Sequence, residues 1–388
     1  MRLFMMTVIF MVAASGFGQE VENTAERMMQ EEERLTIGGY GQIDYNQPLS
    51  GGTFQNGTLD VHRLVLMFGY KFTEKTQFVT EVEFEHVSEV YVEQAFLQHE
   101  IKPWLKFRAG LMLVPMGIIN EYHEPSTFNG VERPNLDSYL VPTTWREIGA
   151  GFTGVFPSAA ISYQFFVMNG FNGYDGAPHL SGANGFRKGR QKGAESFMSS
   201  PNFAFKLNYF GIKGLQLGLS GYGGNSQSTL YKGIDKGDGT AVATADSSVV
   251  GLTMVGADAR YTLGGLSLRG QINYGIISNS IQYNAFTGSD LGGAMAGWYA
   301  EAAYNLFHSV EAFKTELIPF FRFEQYNTHA AVEPGTSYDP SFDHTDITFG
   351  LGWKLARGAM LKADYQIFTN QGPGDSKQQL NAGVAVWF

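Results

Sequence analysis

The chain closes with Lys377-Gln378-Gln379-Leu380-Asn381-Ala382-Gly383-Val384-Ala385-Val386-Trp387-Phe388. Leu380, Ala382, Val384, Val386 and Phe388 share one face of this stretch. Asn381, Gly383 and Ala385 share the other. That period of two reads as a β-strand whose final residue is an apolar face residue in need of cover. In a closed membrane barrel the last strand pairs with the first and its apolar face meets lipid. Such a barrel has an even number of alternating strands in all, the last one included.

Working outward, alternation recurs at residues 35–45, 59–70, 78–85, 90–101, 104–112, 144–153, 159–168, 202–210, 215–223, 250–263, 266–277, 294–306, 311–326, 344–355, 360–369 and 377–388. In the first, Leu35, Ile37, Gly39, Gly41, Ile43 and Tyr45 oppose Thr36, Tyr40, Gln42 and Asp44. In the third, Phe78, Thr80, Val82 and Phe84 oppose Glu81, Glu83 and Glu85. The fourth resists phasing. In the fifth, Leu105, Phe107, Ala109 and Leu111 oppose Lys106 and Arg108. Even-numbered strands lead into short turns. Odd-numbered ones mostly lead into long connections: residues 113–143, 169–200, 224–248, 278–293, 327–343 and 370–376. The connection at 86–89 is the short exception. The count of sixteen, the long–short rhythm and the lack of a domain linker predict an all-β transmembrane antiparallel β-barrel of 16 strands over residues 35–388. Repeated soluble sandwiches would alternate similarly, but loops of this length are unusual in compact soluble domains.

The composition agrees. The 388 residues include 31 Phe and 19 Tyr, as expected where strands meet lipid and its interfaces, and no Cys. The mean hydropathy is slightly negative, as it can be when half of each strand faces water. A formal charge of -10 argues against a nucleic-acid partner. Arg2, the apolar residues 3–14 and Ser15-Gly16-Phe17-Gly18 read as a signal peptide over residues 1–18. The apolar run is shorter than the ~20 residues of a spanning helix. Residues 19–34, ending Glu31-Glu32-Glu33-Arg34, read as a short acidic periplasmic tail. That tail is also a candidate for binding a periplasmic or envelope protein.

A barrel of sixteen strands encloses an aqueous channel unless something fills it. No large domain precedes the first strand, so passive diffusion in the cell outer membrane is the expected function. The segment 113–143 is the expected constriction, folded inward and stiffened by Pro115, Pro125, Pro134 and Pro142. It carries Glu121, His123, Glu124, Glu132, Arg133 and Asp137, which would act at close quarters on passing ions. The expected lumen wall includes Arg63, Glu83, Glu93, Lys106, Arg108, Arg260, Arg269 and Arg322. Cross-strand pairs are expected between Glu93 and Lys106 or Arg108, and between Arg63 and Glu83 or Glu85. Lys106 and Arg108 would matter most for an anion-preferring pore.

No enzyme is expected. The His residues are scattered without zinc-protease spacing, and nothing marks a catalytic triad. No cofactor is expected. Asp235, Asp238 and Asp246 lie among glycines, but the twelve-residue calcium pattern is absent. The competing reading is an outer-membrane barrel that serves as a partner-binding scaffold of an envelope complex.

Several stretches resemble the porin O and P family of phosphate- and polyphosphate-selective outer-membrane porins. They are Gly38-Gly39-Tyr40-Gly41-Gln42-Ile43-Asp44-Tyr45, Arg63-Leu64, Glu81-Val82-Glu83-Phe84, Val92-Glu93-Gln94-Ala95-Phe96-Leu97, Lys106-Phe107-Arg108-Ala109-Gly110, Pro115-Met116-Gly117 and Arg146-Glu147-Ile148-Gly149. The composition and the Gln19 start look like a Bacteroidota member. The resemblance implies a sixteen-stranded homotrimeric porin with the third long connection inside the pore, set in outer-membrane lipid and lipopolysaccharide. Phosphate-selective members look like a basic ladder with an Arg- and Lys-rich constriction. Here residues 113–143 hold one Arg and no Lys against four acids. The expected solutes are therefore small polar molecules or ions in general.

Overall fold

The computed structural model describes residues 23–310, 312–374 and 376–388. The expected signal peptide lies outside the described residues. Sixteen strands form one closed antiparallel barrel. They are β1 (Leu35–Pro48), β2 (Thr58–Lys71), β3 (Thr76–Glu85), β4 (Glu89–Lys102), β5 (Leu105–Leu113), β6 (Arg146–Phe156), β7 (Ile161–Met168), β8 (Asn202–Ile212), β9 (Leu215–Asn225), β10 (Gly251–Leu263), β11 (Leu266–Ser278), β12 (Ala294–Tyr304), β13 (Glu316–Ala331), β14 (Asp343–Ala356), β15 (Ala359–Asn370) and β16 (Lys377–Trp387). Each pairs with the next, and β16 closes on β1 with Trp387 opposite Tyr40 and Gln379 opposite Pro48. Closure leaves no barrel strand with an unpaired edge, as a lipid-embedded sheet requires.

Alternation sorts the side chains between lipid and lumen. On β8, Phe203, Phe205, Leu207 and Tyr209 are exposed outward, whereas Asn202, Lys206 and Asn208 are buried inward. The terminal strand behaves the same way: Leu380, Val384 and Phe388 point out, and Asn381 and Ala385 point in. Near the short-turn end an external aromatic cluster stacks Trp104 on Phe156 and Phe156 on Tyr163, with ring centroids 5.8 and 5.6 Å apart. Amphipathic rings of this kind suit a membrane interface.

Two strand starts and one strand's phasing differ from the sequence expectation for reasons the contacts show. The strand expected from residue 311 begins at Glu316. The chain before it folds into successive turns, and Phe307 stacks on Phe313 at 4.2 Å. The strand expected from residue 144 begins at Arg146. The backbone N–H of Trp145 is instead held by Asn120 Oδ1 at 2.7 Å. The fourth strand resists simple phasing because it is bulged: Glu81 faces Gln94 and Val82 faces Val92, so Glu93 is the extra residue. Glu93 and Gln94 consequently both turn inward and are buried.

The acidic tail is not free of the barrel. Its residues Thr24–Gln30 form a helix, α1, capped by Asn23 and seated in the short-turn end. Thr24, Ala25 and Met28 are buried there. Arg27 lies 4.2 Å from the ring centroid of Trp387, and Glu26 is 3.9 Å from Arg108.

Candidate functional site

The connection between β5 and β6 crosses the barrel interior. Asn120 ties its two ends together: Nδ2 donates to Val114 O at 2.7 Å and to Trp145 O at 3.1 Å. From that anchor the segment reaches the far wall. Gln271 of β11 accepts from Ile118 N at 2.8 Å and donates to Asp137 at 2.7 Å. Asp364 of β15 accepts from Val131 N at 2.6 Å. Lys362 of β15 donates to Phe128 O at 2.7 Å, to Gly130 O at 2.9 Å and to Pro125 O. A segment with so few internal backbone bonds satisfies its amides and carbonyls through the wall, as buried backbone must.

The acids of the segment are each engaged. Glu121 accepts from Lys206 of β8 at 2.5 Å, and Lys206 also lies 3.0 Å from Asp258 of β10. Glu124 accepts from Thr24 N of α1 at 3.0 Å. Glu132 accepts from Asn46 of β1 at 2.8 Å. Asp137 is fully buried, and burial pushes its carboxyl up to about 8. Its partner is the neutral Gln271 described above.

His123 sits in a buried cluster against the β3–β4 wall. Its Nε2 is 3.2 Å from Glu81 Oε1 and 3.1 Å from Glu93 Oε2. Tyr40 of β1 donates to the same two carboxylates, at 2.5 and 3.1 Å. Burial opposes a charged imidazole here, but Glu81 and Glu93 outweigh it and push His123 up to about 10. The imidazolium thereby pins the segment to the wall. Asp235, Asp238 and Asp246 do not converge. Asp238 caps a helix over Gly239–Asp246, and Asp246 accepts from Tyr231.

The wall charges pair in ways only partly expected. Arg63 meets Glu83 at 3.2 Å. Glu93 does not meet Lys106 or Arg108. The β4–β5 register sets Gln98 opposite Arg108 and Glu100 opposite Lys106, so Glu93 lies further along and meets His123 and Arg146 instead. Arg108 donates to Gln98 at 2.7 Å and lies over the Phe96 ring. It therefore belongs to the α1 end. Glu301 holds Arg269 at 2.7 Å and Arg322 at 3.6 Å, and Arg322 donates to Glu324 at 2.9 Å. Arg260 lies over the Tyr122 ring.

A further set of cations comes from the connection between β7 and β8. Arg187 and Arg190 both donate to Thr143 O, at 3.2 and 2.5 Å. Lys192 and Arg146 both lie over the Tyr91 ring, 4.9 and 5.9 Å from its centroid. Burial and then the neighbouring Arg187, Arg146 and Arg133 push the Arg190 guanidinium well below its ordinary range. That is the mark of a cation short of counter-charge. Arg133 itself is pushed down to about 10 by burial and then by Arg63. On the other side of the crossing segment, Arg27, Arg260, Arg269 and Lys354 line a cavity of about 600 Å3.

A sixteen-stranded barrel crossed by an internal segment is the outer-membrane porin fold. The solved structure of the outer-membrane channel DcaP of Acinetobacter baumannii matches over 91% of this chain and 97% of its own, with TM-score 0.60 at 11% identity. OmpF of Salmonella typhi matches over the same shares with TM-score 0.58 at 11% identity. An anion-selective porin from Comamonas acidovorans matches over 91% of this chain and 99% of its own, with TM-score 0.55 at 11% identity. By sequence, the chain belongs to the same family as an uncharacterized protein of Aquifex aeolicus (strain VF5). The two are 30% identical over 352 residues, 88% of this chain and 77% of the relative. No family model matches the chain.

Proposed function

We propose that this protein is an outer-membrane porin, a channel and not an enzyme, that passes small polar and ionic solutes passively and favours anions. The observation that carries the anion preference is the imbalance at the crossing segment. Its acids are occupied by Lys206, Asn46, Gln271 and the amide of Thr24. Arg187, Arg190, Arg133 and Lys192 crowd together on one side, and Arg27 and Arg260 stand on the other. Cations crowded on one side of a narrow place, with further guanidinium groups on the other, offset the dehydration of a passing anion and repel cations. The porin O and P resemblance and a Bacteroidota source belong to this proposal, as does a homotrimer. The motif residues Tyr40, Arg63, Glu81, Glu93 and Arg146 support the family reading, because they meet around the crossing segment rather than scatter over the barrel.

The test is a planar-bilayer recording on purified protein under a tenfold KCl gradient, followed by addition of phosphate. An anion-side reversal potential that moves toward zero in Arg187→Gln/Arg190→Gln supports the reading. A cation-side potential overturns the anion preference. Absence of conductance overturns the channel and favours a partner-binding barrel.

A further inference from the structure

At the end of the barrel carrying the long loops, three rings lie nearly parallel. Tyr139 ends the short helical turn Leu136–Tyr139 of the crossing segment; Tyr326 is on β13 and His344 on β14. Tyr326 stacks on His344 at 4.7 Å and 13°, and on Tyr139 at 5.4 Å and 16°. Tyr139 and His344 are 6.2 Å apart at 11°. If those two sandwiched Tyr326, two stacking gaps of about 3.5 Å each would separate them by about 7 Å or more. They are closer than that, so neither lies across Tyr326 from the other. Tyr326 is 3% exposed, while Tyr139 and His344 are only partly buried. Tyr326 is therefore the buried backing of an aromatic surface that Tyr139 and His344 present.

That surface lines a cavity of about 320 Å3. Polar groups ring it. Asp346 is buried and held by Asn135 at 2.8 Å, and Asn370 stands at the open end of β15. The carboxylate and Asn135 belong to the wall and the crossing segment, so their positions are fixed by other contacts. A ring of polarised C–H groups lies favourably on the negative face of an aromatic ring, and its hydroxyls then project sideways toward acceptors and amides. An aromatic floor with fixed polar groups at its margin is a site that orients one kind of ligand.

We propose that this cavity is a binding subsite for a neutral saccharide ring, stacked on Tyr139 and His344 and hydrogen-bonded by Asp346 and Asn370. It adds a solute class to the channel reading and rests on that reading only for the route the sugar takes. Tyr326, His344 and Asn370 stand on β13 to β15, whereas Tyr139 shares the crossing segment with Arg133 and accepts at its carbonyl from Phe186 N, beside Arg187. Asn370 is therefore the position at which the platform can be altered without touching the basic cluster.

The experiment is calorimetric titration of the full-length protein, in a detergent without a sugar headgroup, with glucose, maltose and sucrose, and with uridine as the planar-ring control. Saturable binding of a sugar at about 1–100 mM is expected. Tyr139→Ala should weaken it about tenfold or more. Asn370→Ala, at an exposed strand end where the side chain accepts from the Gly372 amide, should weaken it about threefold or more. Sugar binding that survives in both variants overturns the site, as does binding of uridine alone or no binding at all. The same sugars are then added to single channels. Binding without conductance upholds the subsite and sinks the porin reading. Conductance with no titratable sugar does the reverse.

Discussion

Lys206 and Glu121 form a 2.5 Å ion pair across the lumen, with the lysine wholly buried on β8 and the glutamate on the crossing segment. Asp258 shares the same ammonium at 3.0 Å. Removing one partner of a buried pair leaves the other charge without compensation, which costs about 3–5 kcal/mol. Lys206→Met should therefore release this end of the segment. Expected results are a lower temperature for the folded-to-unfolded gel shift and noisier, larger single-channel currents. Glu121→Gln, which keeps a hydrogen-bond acceptor, should lie between the two. Currents and gel shift unchanged in Lys206→Met would show that the pair does not hold the segment.

The His123 anchor carries a pH dependence of defined sign. Its folded-state value of about 10 lies above the ordinary 6.5 or so. The stabilisation is thus fully present below about pH 6.5 and is lost as pH rises through about 10. Wild type should exceed His123→Gln in unfolding free energy from denaturant titration at pH 6, by an amount on the order of a few kcal/mol. The difference should shrink toward zero by pH 11. A constant difference across that range would mean that the imidazolium is not what holds the segment against Glu81 and Glu93.

The helix α1 occupies the short-turn mouth through Arg27 on Trp387, Glu26 near Arg108 and Thr24 on Glu124. Deleting residues 23–30 should raise single-channel conductance and free Glu124. The anion preference should weaken as well, because Arg27 leaves the cavity lined by Arg260 and Arg269. The reversal potential in a KCl gradient reads both effects. Conductance equal to wild type would place α1 outside the conducting path.

The barrel was legible because lipid and water act on opposite faces of every strand, so that β8 alternates Phe203, Phe205, Leu207 and Tyr209 with Asn202, Lys206 and Asn208. The bulge at Glu93 was not legible. A bulge is a pairing event between two strands, and nothing in Val92-Glu93-Gln94 alone marks it. The misassigned Glu93 partner follows directly from that lost register. The cations at Arg187, Arg190 and Lys192 were visible as a dense basic run from Arg187 to Lys192. Nothing within that run marks its target, because only the folded chain brings it to Thr143. The aromatic surface of Tyr139, Tyr326 and His344 joins three segments distant in sequence, and no local pattern announces it.

Closure itself is testable at Gly39. Its backbone exchanges two 2.9 Å hydrogen bonds with Phe388, and the Phe388 ring lies over the glycine. A Cβ at Gly39 would fall 2.4 Å from Val65 O and 2.9 Å from the Phe388 ring. The ring can swing away, but the carbonyl belongs to the β1–β2 ladder and cannot move without breaking it. Covering a strand glycine with a cross-strand aromatic ring is a known way to pin register. Gly39→Ala should therefore slow or block conversion to the heat-resistant folded band, because the obstruction is backbone. Phe388→Ala should fold more slowly but reach the same barrel, since the β1–β16 ladder from Tyr40 to Pro48 remains. Refolding into detergent, followed by gel shift over time, separates the two. If Gly39→Ala refolds like wild type while Phe388→Ala does not, the terminal ring rather than the close β1–β2 approach governs closure.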